Sequence, residues 1–107
     1  MATKITFAYD GKDYCLEFTR KTIRRMEENG FEIARFEKAP MTVLPDLFAG
    51  AFLANHRFTE RKVIDSIYDK MIDKASLIDT LGRMYNEPIE ALMADGDEGN
   101  GIAWATN

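Results

Sequence analysis

The sequence has almost none of the side chains from which catalytic and metal sites are usually built. It contains a single cysteine, Cys15, and a single histidine, His56. One cysteine cannot form an internal disulfide, which favours a reducing compartment, and one His with one distant Cys cannot make a structural zinc site. No serine or cysteine lies near His56 along the chain to serve as a nucleophile. The sequence therefore predicts no catalytic residue, with Cys15 a spectator thiol and His56 a helix-terminal histidine favoured by the helix dipole.

Ligand-binding motifs are missing as well. There is no glycine-rich phosphate loop, nucleophile elbow or dinucleotide fingerprint. The acidic run at 95–100 (DGDEGN) lacks the spacing and the closing glutamate of a calcium loop. We therefore predict no cofactor and no metal, and interpret the protein as not an enzyme.

Long apolar runs and an excess of basic residues are also absent. No stretch approaches the about 18 uninterrupted apolar residues of a membrane span, and the N-terminus shows no signal-peptide pattern. The formal net charge is −4, which argues against a nucleic-acid backbone as the main partner without excluding a local basic patch. These features predict a soluble, cytoplasmic protein that binds neither membrane nor nucleic acid.

The N-terminal residues carry the pattern of a β-hairpin. Apolar and polar residues alternate from residue 3 to residue 18, interrupted only by Asp10-Gly11, the strongest short hairpin signal. A two-residue loop pairs Phe7 with Tyr14 and sets Lys4 opposite Glu17, whereas a four-residue loop shifts the partners and keeps the faces. The pattern leaves both loops open.

Four or five helices follow the hairpin in the pattern. Thr19 is the predicted N-cap of a helix over 20–29 that Gly30 ends. Further N-caps are predicted at Thr42, Thr59 and Asp73 for the second, third and fourth helices, and at Asn86 for a short last helix. The third helix is also predicted to have a hydrophobic staple between Phe58 and Val63. A chain of 107 residues fits one domain. We therefore predict an α+β fold, with one domain over 1–94 and a flexible acidic, Gly-rich tail over 95–107.

The second predicted helix, 43–54, is apolar almost all round, with Asp46 its only charge. A helix without a polar face is usually buried on several sides, and in so small a domain part of it could face another chain. Two interpretations stay open: core residues, or a protein-binding groove that takes a client helix. The groove hypothesis names Leu47, Phe48, Ala51, Phe52 and Phe58.

The tail ends in a short apolar segment, 102–106, that carries the only tryptophan, Trp104. A lone two-stranded hairpin is marginal in water and exposes two edges. The hairpin could gain a strand from its own tail, from a second copy or from a client, with Trp104 as the anchor. The other interpretation is a disordered end.

A basic cluster opens the first predicted helix, where the dipole disfavours positive charge. It consists of Arg20, Lys21, Arg24 and Arg25. Glu28 offers partial neutralisation as the i, i+4 partner of Arg24. The cluster is either a solvated charged face or a binding patch.

The sequence as a whole resembles a known family over nearly its whole length. The resemblance is carried by FTRKTIRRME at 18–27, GF at 30–31, MTVLP at 41–45, LFAGAF at 47–52, HRFT at 56–59, IY at 67–68 and MYNEP at 84–88, with Leu81 and Trp104. It is similar to small proteins encoded in the tail-assembly region of long-tailed bacteriophages and prophages, which are regarded as tail assembly chaperones.

That resemblance implies a non-enzymatic function in the host bacterial cytoplasm. Such a chaperone would bind and solubilise the tape measure protein, a long apolar helical chain, and would self-associate. The family supplies no catalytic residues to carry over. The alternatives are a minor tail or tail-completion protein retained in the virion, and a small nucleic-acid-binding regulator that uses the basic cluster.

Overall fold

The computed structural model of the chain describes residues 3–96 and 99–106, so part of the predicted acidic linker lies outside the described residues. Within them, a two-stranded antiparallel hairpin precedes four α-helices and one 3-10 helix. Their bounds are β1 Ile5–Tyr9, β2 Lys12–Leu16, α1 Arg20–Glu28, the 3-10 helix Ile33–Arg35, α2 Pro40–Gly50, α3 Arg61–Lys70 and α4 Lys74–Met93. The predicted α+β fold, an N-terminal hairpin followed by four or five helices, is confirmed.

The hairpin closes with the two-residue loop. Phe7 pairs with Tyr14 across the strands, and Asp10 and Gly11 have φ angles of 52° and 77°. Positive φ at both central residues is what a primed turn requires, and Gly11 adopts it without steric cost. The predicted cross-strand pair forms too, with Lys4 Nζ 3.7 Å from a Glu17 carboxylate oxygen.

Helix α1 begins at the predicted cap. The Thr19 side chain accepts a hydrogen bond from the Thr22 backbone N–H, and the Thr22 hydroxyl accepts one from the Thr19 N–H. This reciprocal pair satisfies two donors at the helix start. Gly30, with φ 94°, follows the helix in the left-handed conformation that ends it.

Four predicted helix boundaries were wrong, and a proline contributed to two of them. Helix α2 begins at Pro40, three residues before the expected start at Val43, and includes Pro45 in its interior; it ends at Gly50 and not at Ala54. Helix α4 is continuous through Pro88, so the separate helix predicted after Asn86 does not exist. Each interior proline removes one backbone hydrogen bond, and the buried faces of these helices supply the stability that compensates. In α3 the cap is Glu60 and not Thr59.

The core lies between the inner face of the hairpin and the helices. Tyr14 of β2 contacts Phe52 edge-on at a ring distance of 5.7 Å, and Phe48 of α2 contacts Tyr68 of α3 at 5.2 Å. Phe18, which leaves the hairpin, meets Tyr85 of α4 at 5.5 Å. These aromatic contacts connect the hairpin to the segment after α2, α2 to α3, and the residues that follow the hairpin to α4.

Gly50, the last residue of α2, allows a close contact between two helices. A β-carbon at this position would overlap the Sδ and Cε atoms of Met26 on α1. Helices α1 and α2 therefore pack closely because residue 50 has no side chain. The end of the Met26 side chain occupies the space that a side chain at residue 50 would need.

No helix in the described part of the chain is long and apolar enough to cross a membrane.

Candidate protein-binding groove

The four central residues of the predicted groove on the second helix lie in the core. Leu47, Phe48, Ala51 and Phe52 are each 2% exposed or less. Their own chain surrounds them, because the hairpin covers Phe52 from one side and α3 covers Phe48 from the other. These four residues therefore do not form an accessible groove. Of the two interpretations of the second helix, core residues or a protein-binding groove, the structure supports core residues.

Phe58 and Trp104, the other two predicted protein-binding residues, are exposed at 85% and 83%. The predicted staple between Phe58 and Val63 is not supported, since a staple residue would be covered by its partner. Exposed aromatic side chains are common anchors of protein interfaces. Protein binding at these two residues stays a prediction.

Phe58 lies beside part of the basic cluster. A groove of about 700 Å³ runs between the N-terminal half of α1 and the turns that follow α2. We call it the basic groove; its lining residues are Thr19, Lys21, Thr22, Arg25, Leu53, Ala54, Arg57 and Phe58. The structure thus brings Lys21 and Arg25 together with Phe58, more than 30 positions away in the sequence.

The cations of the basic groove have no carboxylate partner among the described residues. The ion pairs formed by the described residues do not include Lys21, Arg25 or Arg57, and no carboxylate lines the groove. The Arg57 guanidinium carbon lies 4.7 Å from the centre of the Phe58 ring, a cation–π distance. The positive end of the α1 dipole adds to this local field, so the groove favours an anionic ligand with an apolar part.

The other two residues of the predicted basic patch lie outside the groove. Arg24 is paired with Glu28 at 3.7 Å, as the i, i+4 spacing indicated. Arg20 lines a different hollow, beside Glu87 and Glu90 of α4. Arg57 was not among the residues predicted for the basic patch, although its place between the only histidine and an aromatic residue was a usable signal.

His56 is not at a helix terminus, and that prediction was wrong. Helix α2 ends at Gly50, and His56 follows a run of turns. Its Nε2 accepts a hydrogen bond from the Cys15 backbone N–H at 3.0 Å, while its ring packs on Tyr14 with centroids 4.9 Å apart. Burial and the nearby Lys12 charge lower the pKa of His56. The neutral imidazole therefore serves as a backbone acceptor.

The structure brings Cys15 and His56 together although they are distant in the sequence. The bond joins His56 to the backbone of Cys15, and no hydrogen bond between the thiol and the imidazole is found among the described residues. Within the same part of the chain, no three His, Cys, Asp or Glu side chains are placed to hold a metal ion.

A comparison with known proteins places the chain in a family. No curated protein and no solved structure matches it. The family model described as "Domain of unknown function (DUF5055)" matches residues 1–107. The chain therefore belongs to the DUF5055 family.

Proposed function

We propose that this protein is a non-enzymatic tail assembly chaperone that acts in the host bacterial cytoplasm and binds the tape measure protein through the basic groove. The observation that carries the proposal is an exposed aromatic side chain, Phe58, among cations without carboxylate partners in the described structure. The resemblance to phage tail-region proteins supplies the identity of the client. This assignment replaces the groove first placed on the second helix.

The basic groove fits a client helix that carries both apolar and acidic residues. Phe58 and Leu53 offer apolar contact, and Lys21, Arg25 and Arg57 offer charge-assisted hydrogen bonds to client carboxylates. Exposed charge pairs contribute little individually, so the aromatic contact supplies affinity and the cations supply orientation and specificity. The net charge of −4 on the chaperone would keep the coated client in solution by repulsion between complexes.

Co-expression with the tape measure protein, followed by pull-down, tests the proposal. Phe58→Ser and the double variant Arg25→Glu/Arg57→Glu are expected to reduce the recovered client by at least about tenfold, the loss that follows from removing an interface anchor. Raising the salt from about 0.1 M to 1 M shortens the Debye length from about 10 Å to 3 Å and should weaken the remaining capture.

Matched controls lie elsewhere on the surface. Ile72 is 89% exposed and Lys38 is exposed, with no ion pair among the described residues. Ile72→Ser and Lys38→Glu should therefore recover as much client as the unmodified protein. If the groove variants bind the client normally, or if the controls lose binding equally, the basic groove is not the client site.

The same cations favour one alternative, a small nucleic-acid-binding regulator, because Lys and Arg neutralise phosphates. A gel-shift assay at moderate salt decides between the two. Retardation that Arg25→Glu/Arg57→Glu abolishes would support the regulator, and no retardation would dismiss it.

The remaining alternative is a minor tail or tail-completion protein. It predicts that the chain is found in purified virions by mass spectrometry. A chaperone should be absent from mature particles.

A further inference from the structure

The outer edge of β2 is closed by side-chain and backbone groups of the segment that follows α2. The Cys15 N–H donates to His56 Nε2 at 3.0 Å, and the Cys15 carbonyl accepts from Asn55 Nδ2 at 3.1 Å. Two residues after Cys15, just past the end of β2, the Glu17 N–H donates to the Ala51 carbonyl at 3.1 Å. The segment after α2 thus occupies the position where a third strand would pair with β2.

The outer edge of β1 is open. Because the Cys15 backbone groups point away from β1, those of its partner Thr6 point outward on the other side, as do those of Ala8 two residues on. No hydrogen bond within the described residues reaches the outward groups of Thr6 or Ala8. Strand β1 (ITFAY) also has no charge and no proline, the usual means of protecting an exposed edge.

On the inner face of the hairpin, the side chains of β2 are fully covered by the rest of the chain, whereas those of β1 are only partly covered. Tyr14 and Leu16 of β2 are 6% and 0% exposed. Ile5, Phe7 and Tyr9, on the same face of β1, are only half-buried. An additional strand beside β1 would cover these three side chains and satisfy the open backbone groups together.

The segment 102–106 has the properties of such a strand. Its residues form neither helix nor strand in the structure, and Ile102 and Trp104 are 93% and 83% exposed. The large side chains alternate with Ala103 and Ala105, so a strand conformation would place Ile102 and Trp104 on one face. The segment carries no charge.

We infer that residues 102–106 of a second copy of this chain add to the open edge of β1 as a third strand. Ile102 and Trp104 then extend the apolar face formed by Ile5, Phe7 and Tyr9. Because each copy has one segment and one edge, the smallest assembly that uses every segment and every edge is a reciprocal dimer with two-fold symmetry. The inference uses β1 and the tail, and is independent of the basic groove.

A second copy fits better than the chain's own tail. The segment stands away from its own body, as the exposure of Trp104 indicates, and the radius of gyration of 16.2 Å exceeds the about 13 Å of a compact chain of this length. Two exchanged tryptophans bury about 300–500 Å² of side-chain surface. The isoleucines, the strand backbones and the covered β1 face bring the total toward the about 1,200 Å² of a specific interface.

The single tryptophan allows a direct test. Trp104 fluorescence and sedimentation are followed across a wide dilution series of the full chain. We expect blue-shifted emission and a dimer at high concentration, and red-shifted emission and a monomer on dilution, with one shared midpoint. A monomer with blue-shifted emission at every concentration would show that the chain's own tail fills the edge, and a monomer with red-shifted emission throughout would show an open edge. Either result overturns the exchange.

Two variants separate the edge from the tail. Ala8→Pro removes an outward N–H of β1 and should abolish the dimer, whereas the control Ala8→Val keeps that N–H and should dimerise. Trp104→Ala should weaken the dimer by about thirtyfold or more, as expected for a buried aromatic anchor, and leave the melting of the body unchanged because Trp104 is exposed there. If Ala8→Pro does not fold, Trp104→Ala still decides, since a dimer of unchanged stability in that variant overturns the inference.

Discussion

Replacing Phe48 by alanine is the most informative perturbation of the fold. Phe48 is completely buried, and its ring contacts Phe52 and Tyr68 edge-on, each at 5.2 Å between centroids. A buried Phe→Ala change costs about 3–5 kcal/mol, and each aromatic contact of this geometry contributes about 0.5–1.5 kcal/mol of that loss. A domain of this size has about 5–15 kcal/mol in total. Phe48→Ala should therefore remove a large part of the free energy of unfolding.

The assay is urea denaturation followed by far-UV circular dichroism, since Trp104 is exposed outside the core and reports little about it. Phe58→Ala is the matched control. Its ring is 85% exposed, and surface changes usually stay within about 0.5 kcal/mol. If both variants unfold at the same urea concentration as the unmodified protein while Phe48→Ala loses client binding, Phe48 belongs to a binding surface and our interpretation of the core is refuted.

Two further predictions concern a histidine and a glycine. Because burial and Lys12 lower the pKa of His56 below 6.5, the unfolded state binds more protons there, so stability should fall as the pH drops below 6.5. Titrating the free energy of unfolding from about pH 7.5 to 5.5, above the range of the carboxylates, checks this, and His56→Gln should flatten the profile; an equal slope in that variant would contradict it. Gly50→Ala should change the free energy of unfolding by no more than about 1 kcal/mol, because the overlapped atoms are the flexible end of the Met26 side chain and alanine has a higher helix propensity than glycine by about 1 kcal/mol; a loss of about 3 kcal/mol or more in urea would show that Met26 cannot move aside.

The hairpin could be predicted because its signals are local. Period-two alternation sets the faces, Asp10-Gly11 sets the turn, and Thr19 begins α1 where it was expected. The starts and ends of the later helices could not be predicted in the same way. The free-energy cost of a proline inside a helix can be read from the sequence at Pro45 and Pro88. The burial of apolar side chains that offsets this cost depends on the tertiary fold, which the sequence pattern does not show.

The position of the proposed binding groove could not be predicted, for a related reason. Apolar content alone cannot tell a core helix from a shared one, so Phe48 and Phe52 were open to both interpretations until the hairpin and α3 were placed around them. Arg57 lines the same groove as Arg25 because the turns that follow α2 lie beside α1 in the tertiary fold. Such a contact between distant segments leaves no periodic pattern in the sequence.

A photoreactive phenylalanine analogue at position 58 tests the central claim most directly. The full chain carrying the analogue is co-expressed with the tape measure protein and irradiated, and the same analogue at position 72, which is equally exposed, is the control. We predict a covalent adduct with the tape measure protein from position 58 and none from position 72. Capture of the client without cross-linking from position 58, or with equal cross-linking from both positions, would contradict a client bound in the basic groove.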